Sequence, residues 1–219
     1  MNQLLNIFFI FCCFYPQELQ KSDFLGVDQT YQMAEQEKEV NVKGKKVLFI
    51  GDSQTANRDG YGWQTLLCKR TGMIGTNLAQ VGKHTPWMIN KLRQNLDTTY
   101  GYCFIWGGAN DIHGNRDPYK VMGDIQTMVD MCREKNVRPV VILGYNSIDV
   151  IRPIKGQEFY PNAYAKYQQV LLDNLTNVQI VDTRILIRKD CADWTCHMQP
   201  SGHKKICEQV VKSLNLKTF

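Results

Sequence analysis

Short apolar runs alternate along this chain with longer stretches in which apolar residues recur at helical spacing. The runs 46–50 (KVLFI), 74–81 (IGTNLAQV), 102–106 (YCFIW), 138–144 (RPVVILG) and 178–183 (VQIVDT) read as strands. The fourth is apolar nearly throughout, as expected of a strand covered on both faces. Residues 117–136 place Val121, Ile125, Met128, Val129 and Cys132 on one face of a helix that opens with Asp117-Pro118. Another helix follows the first strand and ends near Gly72. Residues 85–96 form a third, with Thr85 and Pro86 suited to its cap and first turn; residues 162–175 form a fourth, and a last one runs from Ser201 towards Leu214. Five strands alternating with five helices predict an α/β protein, a three-layer α/β/α sandwich around a five-stranded parallel sheet.

Three regions follow from the same pattern. Residues 1–16 (MNQLLNIFFIFCCFYP) are apolar up to Pro16, long enough for a signal-peptide core and short for a bilayer span. No Lys or Arg precedes the apolar stretch and no Ala-x-Ala site follows it. Export, membrane tethering, and an arm that packs on a cytoplasmic protein or partner therefore all stay open, and any membrane contact is expected through this segment alone. Residues 17–44 are polar, without periodicity, and read as a linker. Residues 45–219 hold the alternating body, one core's worth of chain.

Charge narrows the partners. The 26 basic and 21 acidic residues are scattered, with no like-charge run and no aromatic-basic stripe, so no nucleic-acid partner is expected. The eight cysteines show no zinc-ligand spacing, so neither metal nor other cofactor is expected. Cys191 and Cys196 flank Asp193 and stop just short of His197, where an oxidised pair would brace the loop.

The chemistry-bearing residues stand at strand ends. The first run breaks at Gly51-Asp52-Ser53, which puts a hydroxyl at the carboxyl edge of the sheet, where α/β proteins hold ligands. Gly82 follows the second run, Gly108-Ala109-Asn110-Asp111 the third, and His197 lies in DWTCHMQPSGHKKI ahead of the last helix. Each piece alone is ordinary turn or capping chemistry. Together and in this order they resemble the SGNH (GDSL-type) hydrolase family, over about residues 45 to 214.

The resemblance implies the flavodoxin-like SGNH hydrolase fold and a serine esterase that forms an acyl-enzyme. Ser53 becomes the nucleophile, His197 the base, and the Ser53 N–H, Gly82 N–H and Asn110 amide the oxyanion donors. Family members usually carry the orienting aspartate three residues before the histidine. Here that position is Trp194, and Asp193 stands four before. Asp193 is the first candidate and Asp190 the substitute; a dyad in which a backbone carbonyl fixes the imidazole tautomer is the third possibility. His203 falls inside the last helix and is expected to pack. His84 is placed to line the site, His113 is expected in a loop, and Asp111 is read as a partner holding the Asn110 loop.

The stretch 145–162 holds Tyr145, Asn146, Arg152, Lys155 and Tyr160, and suits a polar acceptor better than a long acyl chain. The expected substrate is therefore a small-molecule or carbohydrate acyl ester, with O-acetyl groups on carbohydrate in front. The alternative is a binding or structural module that keeps the fold without efficient catalysis, an idea that rests on the irregular Asp193 spacing.

Overall fold

The apolar runs assemble as parallel neighbours in the order β2-β1-β3-β4-β5. The strands are β1 (Lys46–Gly51), β2 (Ile74–Asn77), β3 (Tyr100–Trp106), β4 (Arg138–Ile142) and β5 (Gln179–Val181). The computed structural model describes residues 38–56, 60–195 and 197–219. The expectations for residues 1–16, for most of 17–44 and for Cys196 fall outside that set. Lys38–Phe219 form one compact unit.

The helices are α1 (Trp63–Thr71), α2 (Thr85–Asn95), α3 (Ala109–His113), α4 (Pro118–Glu134), α5 (Ser147–Val150), α6 (Tyr160–Asn174) and α7 (Pro200–Ser213). Helix α1 packs on α7, whereas α4 packs on both α2 and α6, which gives the three layers. In α4 the face read from the sequence is the buried one, and the Asp117 carboxylate accepts the Tyr119 and Lys120 N–H groups as its N-cap. His84 stands at the N-cap position of α2 without a side-chain cap bond, one residue earlier than expected, and Thr85 is engaged instead in a network described below.

Strand β1 lies inside the sheet between β2 and β3 and is buried after its first residue, and its register with β3 brings Gly51 beside Trp106. Phe49 stacks on Phe104 at 5.2 Å and meets the edge of Trp63 at 5.4 Å, which ties the sheet to α1. Burying either phenylalanine contributes about 1.5–3 kcal/mol. Strand β2 stops at Asn77, four residues before the apolar run ends, and is exposed throughout as an edge strand. The folded unit also begins earlier than residue 45. Val40 bridges Leu216 and Val42 is buried, so the last residues assigned to the linker belong to the core.

The strand order reverses between β1 and β3. In open parallel sheets the crevice outside the carboxyl ends at such a reversal is where ligands sit. Ser53 leaves β1 at that point and Asn110 follows β3.

Candidate active site

Gly51 has to be a glycine for reasons of space. A Cβ there would come within 2.5 Å of the Trp106 carbonyl oxygen and 2.8 Å of Thr55 Oγ1. The chain can therefore turn directly at the end of β1, with Thr55 and Ala56 N–H groups donating to the Asp52 carbonyl, and this turn carries Ser53. Ser53 Oγ lies 2.8 Å from His197 Nε2.

His197 and Asp193 share one closed loop. The Ala192 N–H donates to the His197 carbonyl and the Gln199 N–H to the Asp190 carbonyl, so residues 190–199 form a hairpin-like closure with Cys191 bridged to Met198. Within it, Asp193 Oδ1 accepts the N–H groups of Thr195 and His197, both at 3.0 Å, and the Thr195 hydroxyl at 2.8 Å. Asp193 Oδ2 meets His197 Nδ1 directly. Partial burial works against the Asp193 charge, but the His197 ring, the His197 N–H and the Thr195 hydroxyl outweigh it and hold the carboxyl below the usual range. An ionised carboxylate only accepts, so it fixes the imidazole proton on Nδ1 and leaves the Nε2 lone pair towards the Ser53 hydroxyl. The residue that lengthens the spacing is absorbed by the turn that Asp193 itself caps. Arg188 steadies the turn by donating to the Asp193 carbonyl, and Cys191 at its base is disulfide-bonded.

Asn110 lies in the first turn of α3, and its side-chain amide donates to the Lys83 carbonyl at 3.1 Å. Gly82, the preceding residue, adopts φ +73° on the turn after β2, a conformation that favours glycine. It does not line the pocket around Ser53, whereas Asn110 does. Asp111 is fully buried and faces the other way, accepting from the Thr85 N–H and from Arg116 Nη1 at 2.8 Å. Arg116 also reaches Asp124 at 2.6 Å. This partly buried ion network pins α3 to the start of α2, so Asp111 holds the Asn110 turn as the sequence suggested.

The pocket is a cavity of about 160 Å³ in which Ser53, Gln54, Asn110 and His197 meet Tyr145, Tyr160, Trp194 and His113. Tyr145 and Tyr160, read as part of a polar stretch, are buried. The Tyr145 hydroxyl donates to the Thr195 carbonyl and so anchors the loop of His197 to the segment after β4. Arg152 and Lys155 from the same stretch are exposed and do not line the pocket. His113 closes α3 and lines the pocket, contrary to its reading as a loop residue. Its spacing of three from Asn110 on one helical turn is the signal that could have revealed it.

The remaining candidates lie elsewhere. His203 Nδ1 accepts the Trp63 N–H at 3.3 Å, which couples α7 to α1, and burial pushes its pKa down. His84 is half-exposed and faces Asp111 at 3.7 Å, outside the pocket lining. Asp190 is fully buried and bonded to Lys205 Nζ at 2.6 Å, to the Ser201 hydroxyl and to the Ile187 N–H. Burial disfavours its charge, yet those three donors hold it below the usual range. Its bonding capacity is spent on the start of α7, away from His197. Asp52 is buried beside Ser53. Its Oδ1 accepts the Gln54 N–H, its Oδ2 has no partner among the described residues, and burial pushes the carboxyl up to about 7.

Among the described residues, no group of three or more His, Cys, Asp or Glu is arranged to hold a metal ion, and no helix is long and apolar enough to cross a membrane.

Residues 49–205 match the sequence model of the GDSL-like Lipase/Acylhydrolase family. Among solved structures, the chain is similar to a catalytic mutant of an acetylxylan esterase from Geobacillus stearothermophilus, with a TM-score of 0.65 at 15% identity over 82% of this chain and 98% of that one. It is also similar to a lipolytic protein of the G-D-S-L family from Desulfitobacterium hafniense, with a TM-score of 0.63 at 15% identity over 78% of this chain and 100% of that one. A third, a G-D-S-L family member from Veillonella parvula, matches with a TM-score of 0.59 at 16% identity over 77% and 97%. No curated protein matches the chain in sequence.

Proposed function

Because the chain belongs to the GDSL-like Lipase/Acylhydrolase family and is an ester hydrolase of that family, we propose that it works through Ser53 as nucleophile, His197 as base and Asp193 as the group that orients the base. The observation that carries this reading is the single line of contacts from Asp193 Oδ2 through His197 to Ser53 Oγ, 2.8 Å from Nε2.

In this reading Ser53 Oγ attacks the ester carbonyl while Nε2 takes its proton, and the imidazolium forms beside the Asp193 carboxylate. The tetrahedral oxyanion is met by the Ser53 N–H and by the Asn110 amide hydrogen not spent on Lys83; Gly82, the third donor that the resemblance implies, stands outside the pocket lining. His197 returns the proton to the departing alcohol, which leaves an acyl-Ser53 ester. Water then attacks that ester with His197 as base again, releasing the acid and restoring the hydroxyl.

The substrate class we infer is a small acyl ester of a polar alcohol, with O-acetyl carbohydrate foremost. What supports it is the size and lining of the pocket. About 160 Å³ bounded by Tyr145, Tyr160, Trp194 and two histidines suits an acetyl group and part of a sugar ring better than a fatty chain. The acetylxylan esterase likeness agrees in fold. The case for a non-catalytic module rested on the Asp193 spacing, which the Asp193-capped turn accommodates. The test is turnover of a panel of acyl esters, including acetylated polysaccharide and a long-chain ester, by wild type and Ser53→Ala. Ser53-dependent turnover that favours acetyl esters supports the reading. Preference for the long chain overturns the substrate class, and equal turnover by Ser53→Ala overturns the nucleophile.

A further inference from the structure

His113 lines the pocket with an imidazole that the fold itself leaves uncommitted. Among the described residues its imidazole makes only ring contacts, edge-on to Tyr160 at 5.2 Å and tilted against Trp194 at 5.9 Å. Several other polar groups of the wall are committed, whereas Gln54 Oε1 is buried without a partner among the described residues. The Thr195 hydroxyl is held by Asp193, the Tyr145 hydroxyl by the Thr195 carbonyl, and one Asn110 N–H by Lys83. His113 sits three residues after Asn110 on α3, so both side chains project to the same cavity. The two aromatic neighbours fix the plane of its ring and leave the nitrogens to a ligand.

We propose that His113 is a specificity-determining residue that reads a hydroxyl next to the scissile ester on the alcohol side of the substrate. This rests on the reading of the pocket as a small-acyl esterase site. An acetyl group carries no polar atom besides its carbonyl, so a second polar contact in so small a cavity must go to the alcohol. A neutral imidazole offers one N–H donor and one lone pair, which complements a hydroxyl that itself donates and accepts. The flanking faces of Trp194 and Tyr160 suit the apolar C–H face of a ring carrying that hydroxyl. The substrate class narrows accordingly, from polar acetyl esters in general to monoacetates of vicinal ring diols, the arrangement found in partly acetylated sugars.

The experiment compares trans-1,2-cyclohexanediol monoacetate with cyclohexyl acetate, two esters that differ only in the neighbouring hydroxyl. Wild type should show the higher kcat/KM for the diol ester, by about tenfold for one hydrogen bond. His113→Phe keeps the ring contacts and should collapse that ratio towards one, chiefly through KM on the diol ester. His113→Gln restores a donor and an acceptor and should recover part of the ratio. Thermal melting of each variant checks the fold. An unchanged ratio in His113→Phe, or wild type that turns over both esters without preference, overturns the subsite alone. Wild type inert to both esters and to p-nitrophenyl acetate overturns the esterase reading and the subsite with it.

Discussion

Asp193 holds His197 twice, through the ring at Nδ1 and through the backbone N–H, which Asp193 Oδ1 accepts at 3.0 Å. One carboxylate thus sets both the tautomer of the imidazole and the path of the chain that carries it. Asp193→Asn keeps the shape but can donate to Nδ1 and stabilise the wrong tautomer, so kcat should fall on the order of 10³- to 10⁴-fold. Asp190→Asn should leave kcat within a few-fold and instead cost about 1–3 kcal/mol of stability, because it disturbs a buried acceptor of Lys205, Ser201 and the Ile187 N–H. Steady-state kinetics and urea unfolding of the two variants separate the roles. If both variants stay near wild-type turnover while His197→Ala is inactive, the site works as a dyad.

Asp52 gives the site a pH signature in stability. Its carboxyl is pushed up to about 7 by burial, although the Gln54 N–H and the nearby His197 favour its charge. A carboxyl with a raised folded pKa keeps a proton that the unfolded chain has released, so its contribution to stability falls as pH rises from about 4 to about 7. Asp52→Asn keeps the acceptor for Gln54 and removes the titration. The variant should melt higher relative to wild type at pH 8 than at pH 5. A Tm difference that does not change between those two pH values would show that Asp52 does not titrate in this window.

Legibility from sequence tracks how much chain each feature spans. β1, β3 and β4 are buried and apolar over most of their length, so the runs name them; β2 is an exposed edge, and its apolar run carries on past Asn77 into the loop. The helices α3 and α5 have five and four residues, too short for a helical period to show. Ser53, Asn110 and His197 were readable because each follows or precedes a long element. The acid was left open between Asp193 and Asp190 because the choice depends on a turn that Asp193 closes with its own side chain, a tertiary fact within five residues. Tyr145 and Tyr160 look polar in sequence; they are buried because Tyr145 finds the Thr195 carbonyl and stacks on Tyr164 at 5.2 Å.

Asn110 should act on the transition state more than on binding. With one amide hydrogen held by the Lys83 carbonyl, the side chain is fixed before substrate arrives, which is the preorganisation an oxyanion donor needs. Asn110→Ala should lower kcat on the order of 10²-fold with a much smaller change in KM. A loss confined to KM would make Asn110 a substrate-binding residue. Melting curves guard against the loss of the Lys83 contact being read as chemistry.

The most direct test of the account is covalent. A fluorophosphonate reacts only with a serine that has an activated hydroxyl and a place for the phosphoryl oxygen, so intact-mass and peptide analysis after treatment read both halves of the mechanism at once. The account predicts a single adduct on Ser53, formed quickly in wild type, slowly in Asp193→Asn and not at all in His197→Ala. Labelling at another residue, or a Ser53 adduct that forms as fast in His197→Ala as in wild type, would contradict it.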